Sequence, residues 1–450
     1  MHRCSECGWS TPKWVGRCGE CQAWGTVTEV GAPTARALAP ARNAPAPLKI
    51  ADVTLEAARS RPTGVSEFDR ALGGGLVQGA TILLGGEPGV GKSTLLLEVA
   101  ARWAGAARAL YVTGEESAAQ VRLRAERTSA LADELYLVAE TDLANVLAQI
   151  DAAQPSLLII DSVQTIARSD VDGAAGGVTQ VREVAAALVR EAKSRGIATV
   201  LVGHVTKEGS IAGPRVLEHL VDVVLQFEGD RHSRLRMVRA TKNRYGPADE
   251  VGCFDLTDEG ITSMPDPTGL FLSRHAAAVA GTCVTVTLEG RRPLLSEVQA
   301  LVDRSTLSTP RRATSGVDSS RLAVVLAVLE RRGRVAVSGQ DVYVSTVGGG
   351  RMSEPAADLA VLLAAASSTS GRAVPAGTVA IGEVGLAGEI RPVVGLQRRL
   401  AEAARMGFGT ALVPPDPGSV PAGIDVVEVA DVVSALMAAQ DDPSTGTQRT

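Results

Sequence analysis

Between residues 81 and 227, short apolar runs alternate with longer amphipathic stretches. TILLGG (81–86), ALYVTG (109–114), LLIIDS (157–162), ATVLVG (198–203) and DVVLQF (222–227) are aliphatic, rich in β-branched residues and short, which predicts strands. STLLLEVAARWAG (93–105) and QVREVAAALVREAKSRG (180–196) place apolar residues at helical spacing. Strands alternating with helices predict an α/β domain over 61–265, its parallel sheet covered on both faces. Turn residues cluster at MPDPTGL (264–270). Beyond them TCVTVTLEG, DSSRLAVVLAVLERRG, QDVYVST, EPAADLAVLLAAASS and LQRRLAEAARMG predict a second α/β domain over 266–436. Upstream, residues 1–30 form a small module rich in Cys and Trp. Residues 31–60 form an Ala/Pro-rich linker whose prolines favour extended backbone. The polar segment 437–450 is expected to be a disordered tail.

Composition narrows the function classes. The 450 residues are 45% hydrophobic and 21% charged, ordinary for globular chains. The net charge of −5 provides no global cationic field, so any contact with nucleic acid must come from local patches. No run of about 18 apolar residues exists to span a membrane. The start, MHRCSECGWS, lacks a secretory apolar stretch, so a cytoplasmic location is expected. Lysine is rare: Lys13, Lys49, Lys92, Lys193, Lys207 and Lys242 are the only ones, and none follows Lys242.

Cys4, Cys7, Cys18 and Cys21 read C-x2-C-x10-C-x2-C. Two CxxC pairs at that spacing can close a tetrahedral zinc site, and four thiolates leave no open position for catalysis. A module this small lacks a sufficient apolar core, so the metal would supply its folding energy. Cys253 and Cys283 lie alone and are read as buried thiols without chemistry.

Gly86-Glu87-Pro88-Gly89-Val90-Gly91-Lys92-Ser93, followed by Thr94, matches GxxxxGK[ST] between a predicted strand and a predicted helix. The glycines let backbone N–H groups wrap phosphates at a helix N-terminus, which predicts ATP binding. Lys92 would reach the β/γ-phosphates and Ser93 would hold Mg²⁺. Asp161, at the C-terminal end of LLIID, would position Mg²⁺ or its water. In YVTGEES (111–117), Glu115 is the first candidate to activate the attacking water and Glu116 the alternate. His204, ending VLVGHV, occupies a position that in this fold can sense the γ-phosphate.

The order of these motifs carries a family resemblance. A four-Cys knuckle, RPTGVSEFDRALGGGL (61–76), the phosphate loop, GEES, LIIDS and TKNRYG (241–246) together resemble the RadA (Sms) family of bacterial DNA repair proteins. These are RecA-like ATPases with a Lon-protease-like C-terminal domain. The family motif is usually written KNRFG; here Tyr245 replaces the Phe and keeps the ring. The resemblance implies a homo-hexameric, DNA-stimulated ATPase that acts with the RecA recombinase in homologous recombination. It would drive branch migration in a helicase-like way on single-stranded DNA and branched intermediates. The alternative is a RecA-like regulatory ATPase working through protein partners without DNA translocation. In RecA-like rings a cation from the adjacent subunit completes the ATP site, which assigns Lys242 and Arg244 a role in trans. Arg231, Arg234, Arg236, Arg239, Lys242 and Arg244 include no acid within 231–246 and read as a phosphate-attracting surface cluster. The two loops that line a RecA-like ring correspond to 169–180 and 205–215. The first carries Asp170 and Asp172 and suits DNA poorly; the second offers Lys207 and Arg215 for backbone phosphates.

The Lon-like likeness does not extend to chemistry. Lon uses a Ser–Lys dyad. Ala356 stands where the Ser would be, in Pro355-Ala356-Ala357-Asp358, and Gln397 where the Lys would be. Ser353 is nearby but has no lysine to serve it. The domain is therefore expected to be a ring scaffold, not an active protease. Arginines are in excess over 304–334, which would suit duplex DNA or simply reflect a surface that uses Arg in place of Lys.

Overall fold

The computed structural model describes residues 2–29, 49–52, 59–204, 216–229, 234–273, 278–349, 352 and 354–440. The chain divides into two compact units, residues 1–55 and 56–450. Most of the expected linker, 30–48 and 53–58, lies outside the described residues, as do Ser353 and the tail from 441 onward.

In the first unit, strands His2–Cys4, Ser10–Thr11 and Val27–Glu29 form a three-stranded antiparallel sheet with His2–Cys4 in the middle. Its apolar interior is Cys4, Cys18 and Val27 with Trp9 and Val15 packed against them. Such a small cluster cannot offset the entropy of ordering a chain of this length, so a cross-link through the cysteines is required.

The second unit contains two sheets. The first has nine strands in the order Gly260–Ser263, Val251–Thr257, Leu235–Asn243, Val223–Gly229, Thr81–Gly86, Ala198–His204, Leu157–Asp161, Ala109–Thr113, Leu135–Ala139. The last six are parallel and the first three extend the sheet antiparallel. Thr81–Gly86 is buried throughout and alternates its side chains: Ile82 and Leu84 enter one core with helix Lys92–Ala104, Leu83 the other with helix Val178–Arg195. This is the α/β layering the patterning predicts. Leu135–Ala139 is a half-buried edge strand whose short LYLVA run does not stand out in sequence.

The second sheet has seven strands in the order Arg312–Ser315, Gln340–Thr346, Arg292–Arg304, Thr282–Glu289, Thr378–Ala380, Thr410–Val413, Asp425–Glu428. Helix Asp358–Ser370 is buried over most of its length and packs on this sheet beside helix Ser319–Arg331. The final helix among the described residues is Val432–Ala438. Among the described residues, no helix is long and apolar enough to cross a membrane.

The two sheets are joined by a buried ion pair. Arg292, at the start of its strand, donates to the Glu67 carboxylate and to the carbonyls of Val251 and Pro265, the latter at 2.7 Å. Glu67 lies on helix Ser66–Leu72 and also accepts from the Cys253 amide at 2.9 Å. Gly290 lies so close to Asp249 that an added Cβ would come within 2.2 Å of its carbonyl oxygen.

Candidate functional site

The phosphate loop leaves strand Thr81–Gly86 and enters helix Lys92–Ala104. Gly91 caps that helix at φ 112, a conformation L side chains rarely adopt, and nothing lies within 4 Å of a Cβ placed at Gly89. Glu87, Pro88 and Gly89 are exposed while Val90 is buried, so the loop forms an open cradle with one inward anchor. Ser93 and Thr94 sit half-buried in the first helical turn. Lys92 is buried and folds back: its ammonium donates to the carbonyls of Gly86 and Glu87, both at 2.8 Å. Burial lowers its pKa, offset in part by the charges of Asp161, Glu115 and Glu87. The open glycine loop, helix N-terminus and desolvated lysine fit a polyphosphate.

The acids arrive on neighbouring strands. Asp161 ends Leu157–Asp161 opposite Thr113, and one of its oxygens accepts the Tyr111 hydroxyl at 2.6 Å. Burial first, and then the Asp161 charge, push the Tyr111 phenol well above its usual pKa, so it remains a donor. His204 ends its strand opposite Gly86. Glu115 receives two hydrogen bonds on the same oxygen, Oε1: from the Ser162 hydroxyl at 2.6 Å and from His204 Nε2 at 2.8 Å. Burial raises the Glu115 pKa, but the Ser162 and His204 hydrogen bonds and the Lys92 charge outweigh it and carry it below the ordinary value. Glu116 turns elsewhere and pairs with Arg124. Lys92, Asp161, Glu115 and His204 therefore converge on the phosphate loop, and Glu116 does not. Tyr111 and Ser162 were not singled out in the sequence; both lie inside runs that read simply as strands, although Ser162 directly follows Asp161.

The KNRYG segment is at the other end of the sheet. Asn243 pairs with Val223, and Val223 with Ile82, four residues before Gly86, which is roughly 13 Å along the strand. Lys242 donates to the carbonyls of Glu218 and Val221 at 2.6 and 2.7 Å, at the end of helix Val216–Leu220. Burial lowers its pKa, helped by the Arg244 charge beside it. Arg244, half-exposed, donates at 3.1 Å to Asp222, a buried carboxylate that also holds Thr81 and Lys193. Asn243 ties the turn to helix Ser66–Leu72 through the Leu72 carbonyl at 3.0 Å.

The expected surface cluster of cations is not what forms. Arg234 pairs with Asp255 at 2.6 Å and Arg239 with Glu289 at 2.6 Å, while Arg236 is buried beneath the phosphate loop. No acid lies within 231–246, but the neighbouring strands supply them. Arg231, with Lys207 and Arg215, lies outside the described residues. The 169–180 loop is anchored by the buried Gln180, which bonds both the amide and the carbonyl of Arg168, while Asp170 pairs with Arg168.

In the small unit the four cysteine sulfurs lie within 4.8 Å of one another, with Cys4–Cys21 at 3.7 Å and Cys7–Cys18 at 3.5 Å. A tetrahedron with Zn–S bonds of about 2.3 Å has edges of ~3.8 Å, so these thiols fit zinc. Cys253 and Cys283 are both buried, and burial pushes their thiols up to about 11 and about 12. At the dyad positions, Ala356 is buried and the Gln397 amide donates to the Pro417 carbonyl at 2.8 Å. Beside them the fully buried Arg399 forms a two-point pair with Glu354, both contacts at 2.6 Å.

Sheet order, phosphate loop and four-Cys centre define a RecA-like P-loop ATPase with an N-terminal zinc ribbon. Residues 44–210 match the AAA domain family and residues 2–29 the rubredoxin metal binding domain family. The chain belongs to the family of the DNA repair protein RadA: it is 55% identical to that protein of Mycolicibacterium smegmatis, over 100% of this chain and 98% of the relative. It is 48% identical to that of Pseudomonas aeruginosa and 45% to that of Escherichia coli, each over 97% of this chain and 98% of the relative. Among solved structures, a KaiC-like protein of Pyrococcus horikoshii matches 46% of this chain and 99% of its own, at 24% identity and a TM-score of 0.38.

Proposed function

We propose that this chain is a DNA-dependent ATPase of homologous recombination. It assembles as a homo-hexameric ring and drives branch migration with the RecA recombinase in a helicase-like way. ATP lies between subunits. Residues Gly86 to Thr94 wrap the phosphates, with Lys92 unfolding from its carbonyl partners to meet them. Ser93 and Asp161 are the residues that would hold Mg²⁺, which would supply neutralisation of phosphate charge. Glu115, through the oxygen that Ser162 and His204 leave open, takes a proton from the water whose oxygen attacks the γ-phosphorus as ADP departs. His204 senses the γ-phosphate. Lys242 and Arg244 of the adjacent copy stabilise the transferring group, and Lys207 and Arg215 track single-stranded DNA or branched intermediates. The C-terminal sheet is a ring scaffold without peptidase activity, since neither Ala356 nor Gln397 can replace a Ser–Lys dyad.

The observation that carries this reading is the distance between cradle and prong. Lys242 and Arg244 sit at the end of the sheet away from their own phosphate loop, which supports a role at another copy's nucleotide. Mixing tests it. Lys92→Ala keeps its prong and loses its cradle; Lys242→Ala with Arg244→Ala does the reverse. Each alone should show little hydrolysis with single-stranded DNA, and the mixture should recover a measurable fraction of the wild-type rate. A mixture as inactive as its parts rejects the shared site. Wild-type hydrolysis indifferent to added single-stranded DNA would favour the regulatory ATPase.

A further inference from the structure

We infer that Arg236 is a positioning residue for the phosphate loop, acting through the carbonyl of Val90. The inference rests on the ATPase reading of that loop. Arg236 lies near the start of strand Leu235–Asn243 and is 8% exposed. Its Nε donates to the Val90 carbonyl at 3.0 Å, and its Nη1 to the Leu235 carbonyl at 2.9 Å. Val90 is the buried residue of the exposed stretch that begins at Glu87.

Peptide geometry gives this contact its meaning. The Val90 carbonyl and the Gly91 N–H belong to one planar trans peptide and point in opposite directions. A guanidinium that holds the carbonyl inward therefore aims the Gly91 N–H outward, to the side where the cradle receives phosphates. Gly91, at φ 112, is also the residue that starts helix Lys92–Ala104, so the same contact sets how Lys92 and Ser93 leave the loop.

The sequence makes room for the side chain. Gly229 faces Arg236 across the two strands, and a Cβ there would lie 2.3 Å from Arg236 Cδ. Gly229 does not have a positive φ, so the contact with Arg236, not the backbone, is what requires glycine.

Three full-length variants test the inference: Arg236→Met, Arg236→Lys and Gly229→Ala. The readouts are the Kd of a fluorescent ATP analogue, KM and kcat for ATP, and assembly size. Arg236→Met should raise Kd and KM about tenfold with kcat within about twofold, because a charge-assisted hydrogen bond that orders a binding loop is lost. Arg236→Lys, which keeps a donor and the charge, should fall between Met and wild type. Gly229→Ala, which alters no charge but displaces the arginine, should raise Kd severalfold. It decides the question if Arg236→Met does not fold. Wild-type ATP affinity in folded Arg236→Met or in Gly229→Ala, or a fall in kcat with KM unchanged, overturns the inference. A wild-type protein that hydrolyses no ATP would instead refute the ATPase reading.

Discussion

Glu115 and Glu116 are chemically identical neighbours that end in different surroundings. Glu116 is paired with Arg124, while Glu115 faces Lys92 and takes Ser162 and His204 on one oxygen. Glu115→Gln should lower kcat by about 10²–10⁴-fold while ATP still binds; Glu116→Gln should change kcat only severalfold. Steady-state hydrolysis beside an equilibrium nucleotide titration distinguishes them, and the reverse ranking rejects the assignment. The pH profile makes a second prediction. A base works ionised, so activity disappears as pH falls through the Glu115 pKa in the folded chain. The Ser162 hydrogen bond lowers that pKa, so Ser162→Ala should shift the acid limb of kcat to higher pH. An unmoved limb would mean that Ser162 does not tune this carboxyl.

Individual elements differ in what holds them. Strand Thr81–Gly86 needs no special device, because neighbours on both edges and cores on both faces bury it. The cysteine module depends on its cross-link: removing zinc with a strong chelator, or substituting Cys18→Ser, should unfold residues 2–29 and abolish one bound zinc per chain. Metal analysis with hydrogen exchange across that segment checks this; retained protection without metal would show the sheet to be self-sufficient. Strand Leu235–Asn243 bears Arg236 at the phosphate-loop end and Lys242 at the other. Its cations read as part of a phosphate-attracting surface cluster, yet Arg239 is taken up by Glu289 and Arg236 by the Val90 carbonyl, as Arg234 just before the strand is by Asp255. Those partners are distant in sequence, so no local pattern announces them.

At the scale of the second unit, the two sheets are joined by a buried ion pair beside an apolar cluster that takes Leu235, Val251 and Cys253 from one and Leu294 from the other. Arg292 and Glu67 are both buried, and removing Arg292 leaves the desolvated Glu67 carboxylate with only the partly exposed Arg70 as its cationic partner. Arg292→Met should therefore cost about 3–5 kcal/mol, read from urea unfolding of the full chain. A loss under 1 kcal/mol would show that water reaches the pair. Helix Ser66–Leu72 carries Glu67 at one end and receives Asn243 at the other, so the same short helix touches the KNRYG turn and the second sheet.

Chemistry written in contiguous residues is readable before any fold is known. The phosphate loop, the paired CxxC steps and the strand that delivers Asp161 each depend on local spacing, because a helix N-terminus, a tetrahedral knuckle and a strand end are all local geometries. That no lysine follows Lys242 is equally plain from composition. Separating the surroundings of Glu115 from those of Glu116, finding Ser162, Tyr111 and Arg236 around the loop, and setting Lys242 far from its own cradle required the folded chain. Each depends on pairing between segments tens to more than a hundred residues apart, where burial and hydrogen bonding, not spacing, decide which charge stays available.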